Sequence, residues 1–290
     1  MATIAEWVQG ARPRTLPTAV SPVLVGAGAA VGAGAVEPVR AALALVVALA
    51  LVIGVNYAND YSDGVRGTDD ERVGPVRLVG SRLASPVAVR NAAVACLAVA
   101  AVAGLVLVAV SGQWWLLVVG ALCLAGAWFY TGGKRPYGYA GLGEVAVFVF
   151  FGPVAVLGTV VTQSGPPSGL AVLAAVGVGM LTTAVLVANN LRDIPTDAAV
   201  GKRTLAVALG DGGTRRLYAA LVLVPFAISL VGALWGAALL LGLVAVPLAV
   251  GPVRRVLGGA AGLDLIPVLA GTGVLLLAWS VGTAVGLALS

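Results

Sequence analysis

The sequence predicts an all-α, polytopic membrane protein, and three observations carry that prediction. Apolar runs of about 20 residues recur along the chain, the length a helix needs to cross a bilayer. Of the 290 residues, 60% are hydrophobic and 10% charged, whereas soluble domains carry about 25% charge. The 17 Lys and Arg and 12 Asp and Glu gather in short clusters between the apolar runs.

Residues 3–14 carry Trp7, Arg12 and Arg14 and read as a short interfacial segment. The apolar run from Leu16 to Val36 exceeds the h-region of a signal peptide and is taken as a retained first span. Nine spans are expected: 15–36, 40–62, 86–110, 114–131, 141–162, 169–191, 214–234, 236–252 and 265–288. Spans seven and eight are parted only by Leu234-Trp235-Gly236. With the N-terminus in the cytoplasm, Arg40 alone among the 17 basic residues falls on an outer connection. That asymmetry obeys the positive-inside rule. It makes 63–85 and 192–213 two cytoplasmic cap loops, punctuated by Gly and Pro, over a central cavity in a single domain, 1–290. Gly28 and Gly32 are spaced for close helix packing.

Several chemistries are excluded. The chain has no histidine, the usual general base and commonest zinc ligand. Cys96 and Cys123 lie inside apolar runs and read as core residues. Gly141-Leu142-Gly143 completes no dinucleotide fingerprint. The net charge of +5 is explained by topology, so no nucleic-acid partner is expected.

The chemistry lies in two acidic clusters. Asn56, Asp60 and Asp63 (i, i+4, i+7) share one helical face, as do Asn190, Asp193 and Asp197 (i, i+3, i+7). A carboxylate inside a membrane costs about 2.5–3.5 kcal/mol, so carboxylates kept there are expected to be functional. Carboxylate and amide oxygens suit Mg²⁺, which keeps waters and bridges to phosphate. The six residues are therefore the metal candidates. Lys202, Arg203, Arg66 and Arg72 would neutralise a diphosphate beside the metal. Tyr130 and Glu144, in the connection between spans four and five, are candidates for lining the site. Arg77, Arg82, Arg90, Arg215, Arg216, Arg254 and Arg255 read as topology charges.

Asn59-Asp60-Tyr61-Ser62-Asp63 and Asp193-xxx-Asp197-xxx-Gly201-Lys202 resemble the two aspartate-rich motifs of the UbiA superfamily of intramembrane prenyltransferases. Three segments are most similar to its dihydroxynaphthoate branch: ARPRTLPTAVSPVLVG at 11–26, NDYSDGVRGTDDERVGP at 59–75 and YTGGKRPYGYAGLGE at 130–144. The first motif departs from N-D-x-x-D-x-x-x-D at Gly67, where Asp69 or Asp70 from a longer loop takes the acidic position. In the second, Asn190 replaces a leading acid.

The resemblance implies Mg²⁺-dependent transfer of a polyprenyl group from its diphosphate to an aromatic acid at the cytoplasmic face of the cell membrane. With dihydroxynaphthoate, CO₂ is lost and demethylmenaquinone is formed. The prenyl tail is expected to lie in an apolar tunnel open to membrane lipid. The acceptor's carboxylate needs a cation, for which Arg12, Arg14, Lys134 and Arg135 are the choices. Other ring or phosphoribosyl acceptors are the alternative within the superfamily. A cation-coupled transporter would set its acids near the bilayer midplane. A CDP-alcohol phosphotransferase would need a fuller motif than Asp63-Gly64-Val65-Arg66.

Overall fold

The computed structural model describes residues 2–67 and 77–290. Helix α1 (Ile4–Gly10) opens on a capping box. The Thr3 hydroxyl accepts from the Glu6 amide and the Glu6 carboxylate accepts from the Thr3 amide. Arg12 then adopts a left-handed backbone, φ 55°, and turns the chain through Pro13–Thr15 into α2 (Pro17–Gly32). The two helical pieces meet at a 48° bend. There follow α3 (Pro38–Arg66), α4 (Pro86–Ser111) and α5 (Leu116–Phe129). The next span is composite: α6 (Gly143–Val149), a π-helical stretch Phe150–Leu157 and α7 (Gly158–Ser164). Pro153 lies within that stretch; it has no N–H to donate, and the widened turn is the π-bulge such positions favour. Then come α8 (Gly169–Ala199), α9 (Leu205–Gly232), a 3₁₀ stretch Ala237–Ala245 running into α10 (Val246–Leu257), and α11 (Ile266–Ala288).

Each of the nine expected segments is helical. Among the described residues, seven helices are long and apolar enough to cross a membrane, or eight if the bent α1–α2 pair is one span. Helix α5, at 14 residues, spans only about 21 Å at 1.5 Å per residue.

Two boundaries differ from expectation. Helix α3 continues through Gly64 to Arg66 and is capped by Gly67 in the left-handed conformation at φ 72°. Helix α8 runs through Pro195 to Ala199. The second cap loop expected over 192–213 is thus mostly helix. Thr204 already caps α9, accepting from the Val207 amide, and Gly210 (φ 68°) kinks that helix rather than ending it. Asp63, Arg66, Arg192 and Asp197 are consequently fixed on helices and not carried on loops.

Packing is uneven between the halves. The largest buried cluster belongs to the C-terminal half, where Leu181, Tyr218, Leu276 and Trp279 interlock. Some of its polar atoms are paired: Trp279 Nε1 donates to Ser229 Oγ at 3.1 Å, and Tyr218 bonds Thr272 at 2.7 Å. Among the described residues the N-terminal half has small clusters around Tyr57 and Val23. Helices α3, α4, α5 and the α6–α7 span instead wall a cavity of about 1010 Å³. Chain ends close the bundle, α2 packing along α11. The expectation for Gly28 and Gly32 holds: a Cβ on Gly28 would lie 2.7 Å from Ala284 Cα, and one on Gly32 would collide with the Leu287 carbonyl.

Gly28→Ala and Gly32→Ala should therefore each cost about 1–3 kcal/mol by overpacking. Thermal melts of the detergent-solubilised protein should show lower midpoints for both. Gly158→Ala, whose added Cβ would meet nothing within 4 Å, should show no such drop.

Candidate active site

The end of α3 buries a row of polar side chains: Asn56, Asn59, Asp60, Ser62 and Asp63. In a chain this apolar each needs a partner, and each of the four amide and carboxylate side chains has one. Asn56 Nδ2 donates to the Ala11 carbonyl at 2.9 Å and to Thr15 Oγ1 at 3.0 Å, tying the N-terminal elbow to α3. Asn59 Oδ1 accepts from Thr131 Oγ1 at 2.8 Å. Asp60 is 1% exposed, and its two oxygens accept from the Leu78 and Val79 amides at 2.7 and 3.0 Å. Asp63 Oδ1 accepts from the Tyr139 hydroxyl at 2.6 Å, and its other oxygen faces Arg77 at 3.8 Å. One turn on, Arg66 donates to the Thr131 and Gly133 carbonyls.

The end of α8 repeats the pattern with different partners. Asn190 Nδ2 donates to Glu144 Oε1 at 2.8 Å, joining α8 to the first turn of α6. Arg192, itself buried, grips the neighbouring Asp193 with Nε and Nη2 at 2.7 and 2.9 Å, while Asn189 donates to the same carboxylate. Lys202 Nζ bonds Asp197 Oδ1 at 3.1 Å across the turn that follows α8.

The connection from Tyr130 to Leu142 lies between these helix ends and is bonded to both. Thr131 and Tyr139 bond α3, whereas the Tyr139 carbonyl accepts from the Arg203 amide at 3.0 Å. Its fold is held from within by the Gly138 amide on the Tyr130 carbonyl and by the Tyr137 hydroxyl on the Gly126 carbonyl at 2.7 Å. Burial pushes the Tyr137 phenol up to about 12, so it remains a donor.

Two cavities meet here. The smaller, about 70 Å³, is polar and takes Asn59 and Asp63 from α3, Asn189 and Asn190 from α8, and Lys202 beyond it. Three cations, Arg12, Arg77 and Lys202, face one carboxylate, Asp63, on its walls. The larger is the apolar cavity of about 1010 Å³. Arg12, Asn59, Tyr130, Leu186 and Asn189 belong to the walls of both, so an extended ligand can keep a charged head in one and an apolar tail in the other.

The expected residues divide accordingly. Asp63, Asn190, Lys202, Tyr130 and Arg12 line the polar cavity, and Glu144 reaches it through Asn190. Asp60 and Asn56 do not line it: a helical turn points them at the loop amides and at the N-terminal elbow instead. Asp193 and Asp197 stand behind Arg192 and Lys202. Arg66 is bound to the Tyr130–Leu142 connection. Arg14 lines only the apolar cavity; Arg203, Lys134 and Arg135 are exposed and line neither. Arg72, with Asp69, Asp70 and Glu71, lies outside the described residues. The residues sequence reasoning missed are Asn59, Arg77, Thr131, Tyr139 and Asn189. Asn59 and Asn189 each adjoin a residue that was chosen, one helical step round. Arg77, which reads as a topology charge in the sequence, is 8% exposed.

Among the described residues no three acidic side chains close into a metal cluster. The donor set nevertheless fits a hard cation, since oxygen atoms of Asn59, Asp63 and Asn190 surround a polar cavity that has cations for a bridging anion.

Comparison with known proteins gives a consistent picture. Residues 19–260 match the UbiA prenyltransferase family. A Mycobacterium tuberculosis protein named 1,4-dihydroxy-2-naphthoate octaprenyltransferase is 58% identical, over 99% of this chain and 98% of that protein. An Escherichia coli protein of the same name is 36% identical, over 81% of this chain and 80% of that one. Among solved structures, an apo UbiA homolog from Aeropyrum pernix superposes with a TM-score of 0.70 at 17% identity, covering 91% of this chain and 96% of that one. A UbiA homolog from Archaeoglobus fulgidus bound to GPP and Mg²⁺ gives 0.65 at 14% identity, covering 96% and 99%.

The bonds of Asp60 lead to a test. Asp60→Ala leaves two buried amides without acceptors, each costing about 1–3 kcal/mol. Hydrogen exchange at Leu78 and Val79 should rise by orders of magnitude in that variant, with or without added Mg²⁺. Unchanged protection would mean that Asp60 does not hold this segment.

Proposed function

We propose a function from one premise: this chain belongs to the UbiA prenyltransferase family. It is an integral membrane enzyme that transfers a polyprenyl group from its diphosphate to 1,4-dihydroxy-2-naphthoate, a step of menaquinone synthesis. The observation that carries this reading is the pair of cavities sharing walls at Arg12, Asn59, Tyr130 and Asn189. They match a substrate with a doubly charged head and a long hydrocarbon tail. The identity to relatives named for that acceptor supports the choice of ring.

In this reading the diphosphate lies in the polar cavity against Lys202 and Arg77, with the tail in the apolar cavity. Asp63, Asn59 and Asn190 would hold Mg²⁺, and Asp193 and Asp197 would support it from behind their Arg192 and Lys202 partners. When bound, the metal supplies positive charge to the departing diphosphate. Lys202 and Arg77, which neutralise Asp197 and Asp63 without substrate, turn to phosphate oxygens when the head group arrives. The allylic C1–O bond breaks at the junction of the cavities, where Tyr130 and Asn189 keep bulk water from the carbocation. Of the cations considered for the acceptor's carboxylate, Arg12 has the best support. It lines both cavities, and its Nη2 is buried with no hydrogen-bond partner among the described residues.

The ring carbon that bears the carboxylate attacks C1. The new C–C bond forms, the carboxylate leaves as CO₂, and its electron pair restores the aromatic ring. Diphosphate departs, and the product has the hydroquinone oxidation level of demethylmenaquinone. Loss of CO₂ takes the place of proton removal from that carbon, which suits a chain with no histidine. The nine helical segments form one domain with a cytoplasmic N-terminus in the cell membrane; the confinement of basic residues to one side supports that orientation.

Membranes containing the protein, given labelled polyprenyl diphosphate, Mg²⁺ and a panel of aromatic acids, should yield prenylated dihydroxynaphthoate lacking its carboxyl group. A product that keeps the carboxyl, or transfer to 4-hydroxybenzoate in its place, would overturn the assignment of acceptor. EDTA should abolish turnover and Mg²⁺ restore it. Asp63→Ala should lower kcat by about two to three orders of magnitude, the size of effect seen when a group stabilising transition-state charge is lost. Lys202→Ala should raise KM for the prenyl diphosphate more than KM for the acceptor.

A further inference from the structure

Tyr139 meets three of the site's charged groups, Asp63, Arg66 and Lys202, yet the reaction gives it no role. Its hydroxyl donates to Asp63 Oδ1 at 2.6 Å. The guanidinium of Arg66 lies 5.4 Å from its ring centroid and Lys202 Nζ lies 5.1 Å from it, both within the range of a cation–π contact. Its carbonyl accepts from the Arg203 amide, next to Lys202. Asp63 and Arg66 belong to the first acidic helix end; Lys202 and Arg203 follow the second. The two ends are 139 residues apart in sequence, counting from Asp63 to Lys202 (202 − 63). Tyr139 meets both.

The two kinds of contact have separate consequences. A bond at 2.6 Å to one carboxylate oxygen fixes the rotamer of Asp63 and leaves the second oxygen turned toward Arg77 at 3.8 Å, the side from which a cation is met. Partners of this type, bonded to a metal ligand and not to the metal, typically change metal affinity by about 10–100-fold when removed. The ring acts on a different group. A lysine ammonium on a flexible four-carbon stem has many rotamers, and an aromatic face near 5 Å restricts it to those that also reach Asp197 and the polar cavity.

We propose that Tyr139 is a positioning residue that sets the metal-binding and diphosphate-binding groups in register: its hydroxyl orients Asp63 and its ring seats Lys202. This rests on the function proposed above, and it assigns the two ends of one side chain to two substrate-binding events. Tyr139→Phe deletes only the hydroxyl. Tyr139→Leu deletes the hydroxyl and the ring.

The test is Mn²⁺ titration followed by electron paramagnetic resonance on the full-length protein in detergent, with saturating farnesyl thiodiphosphate as an unreactive head-group analogue. Steady-state KM values at saturating Mg²⁺ are measured in parallel. Tyr139→Phe should bind Mn²⁺ about 10–100-fold more weakly while its KM for prenyl diphosphate at saturating metal stays within about twofold of the parent. Tyr139→Leu should show the same Mn²⁺ defect and, in addition, a KM for prenyl diphosphate raised several-fold beyond that of Tyr139→Phe, with KM for the aromatic acid unmoved. Parent-like Mn²⁺ affinity in Tyr139→Phe overturns the role of the hydroxyl. Equal KM values in the Phe and Leu variants overturn the role of the ring. Asp63→Ala in the same titration separates this proposal from its premise. If that variant binds Mn²⁺ as the parent does, the metal site itself is misassigned; if it loses Mn²⁺ and Tyr139→Phe does not, only Tyr139 is.

Discussion

Charged groups inside an apolar bundle must be compensated, and that single electrostatic constraint organises this molecule. The ends of α3 and α8 carry carboxylates and amides into surroundings that give them little water. Each described carboxylate there has met a backbone amide, a hydroxyl or a cation. The Tyr130–Leu142 connection, the elbow at Arg12 and the segment from Arg77 to Ser81 are held where they are by those bonds. Remove these carboxylates and amides and three separate connections lose their anchors.

Two tasks are thereby divided between the halves. The C-terminal helices build a dense core around Trp279 and Leu276, rigid as protein interiors are. The N-terminal helices and the α6–α7 span enclose empty apolar volume and gain correspondingly less from packing. A stiff half supports a hollow one, and the polar cavity lies where they join. The π-helical stretch at Phe150–Leu157 belongs to the hollow side: Phe150, Phe151 and Val154 face the apolar cavity from it.

Much of this could be read from residue order alone. Apolar length and the one-sided basic residues gave the helices, and the spacing of acids at Asp60, Asp63, Asp193 and Asp197 gave the face where chemistry belongs. Periodicity could not tell which member of a cluster faces the ligand and which holds the scaffold. Asp60 and Asp63 share a helical face to within a turn, yet loop amides of residues distant along the chain claim Asp60 and leave Asp63 at the cavity. The same limit hid Asn59 and Asn189, which sit one step round the helix from residues that were chosen. Tyr139 carried no signal of its own, because a tyrosine near a membrane surface ordinarily marks the interface; its meaning comes from partners 76 and 63 positions away (139 − 63 and 202 − 139). Helix ends misled for a local reason: Pro195 reads as a stop, but α8 absorbs it and continues.

The bare backbone contact between α2 and α11 bears on how the chain is assembled. Helix α2 leaves the ribosome well before α11, so its glycine face must wait for the surface it packs against. Two helices far apart in the chain thus share a contact that no neighbour in sequence can supply, and the bundle closes there only once both have been made.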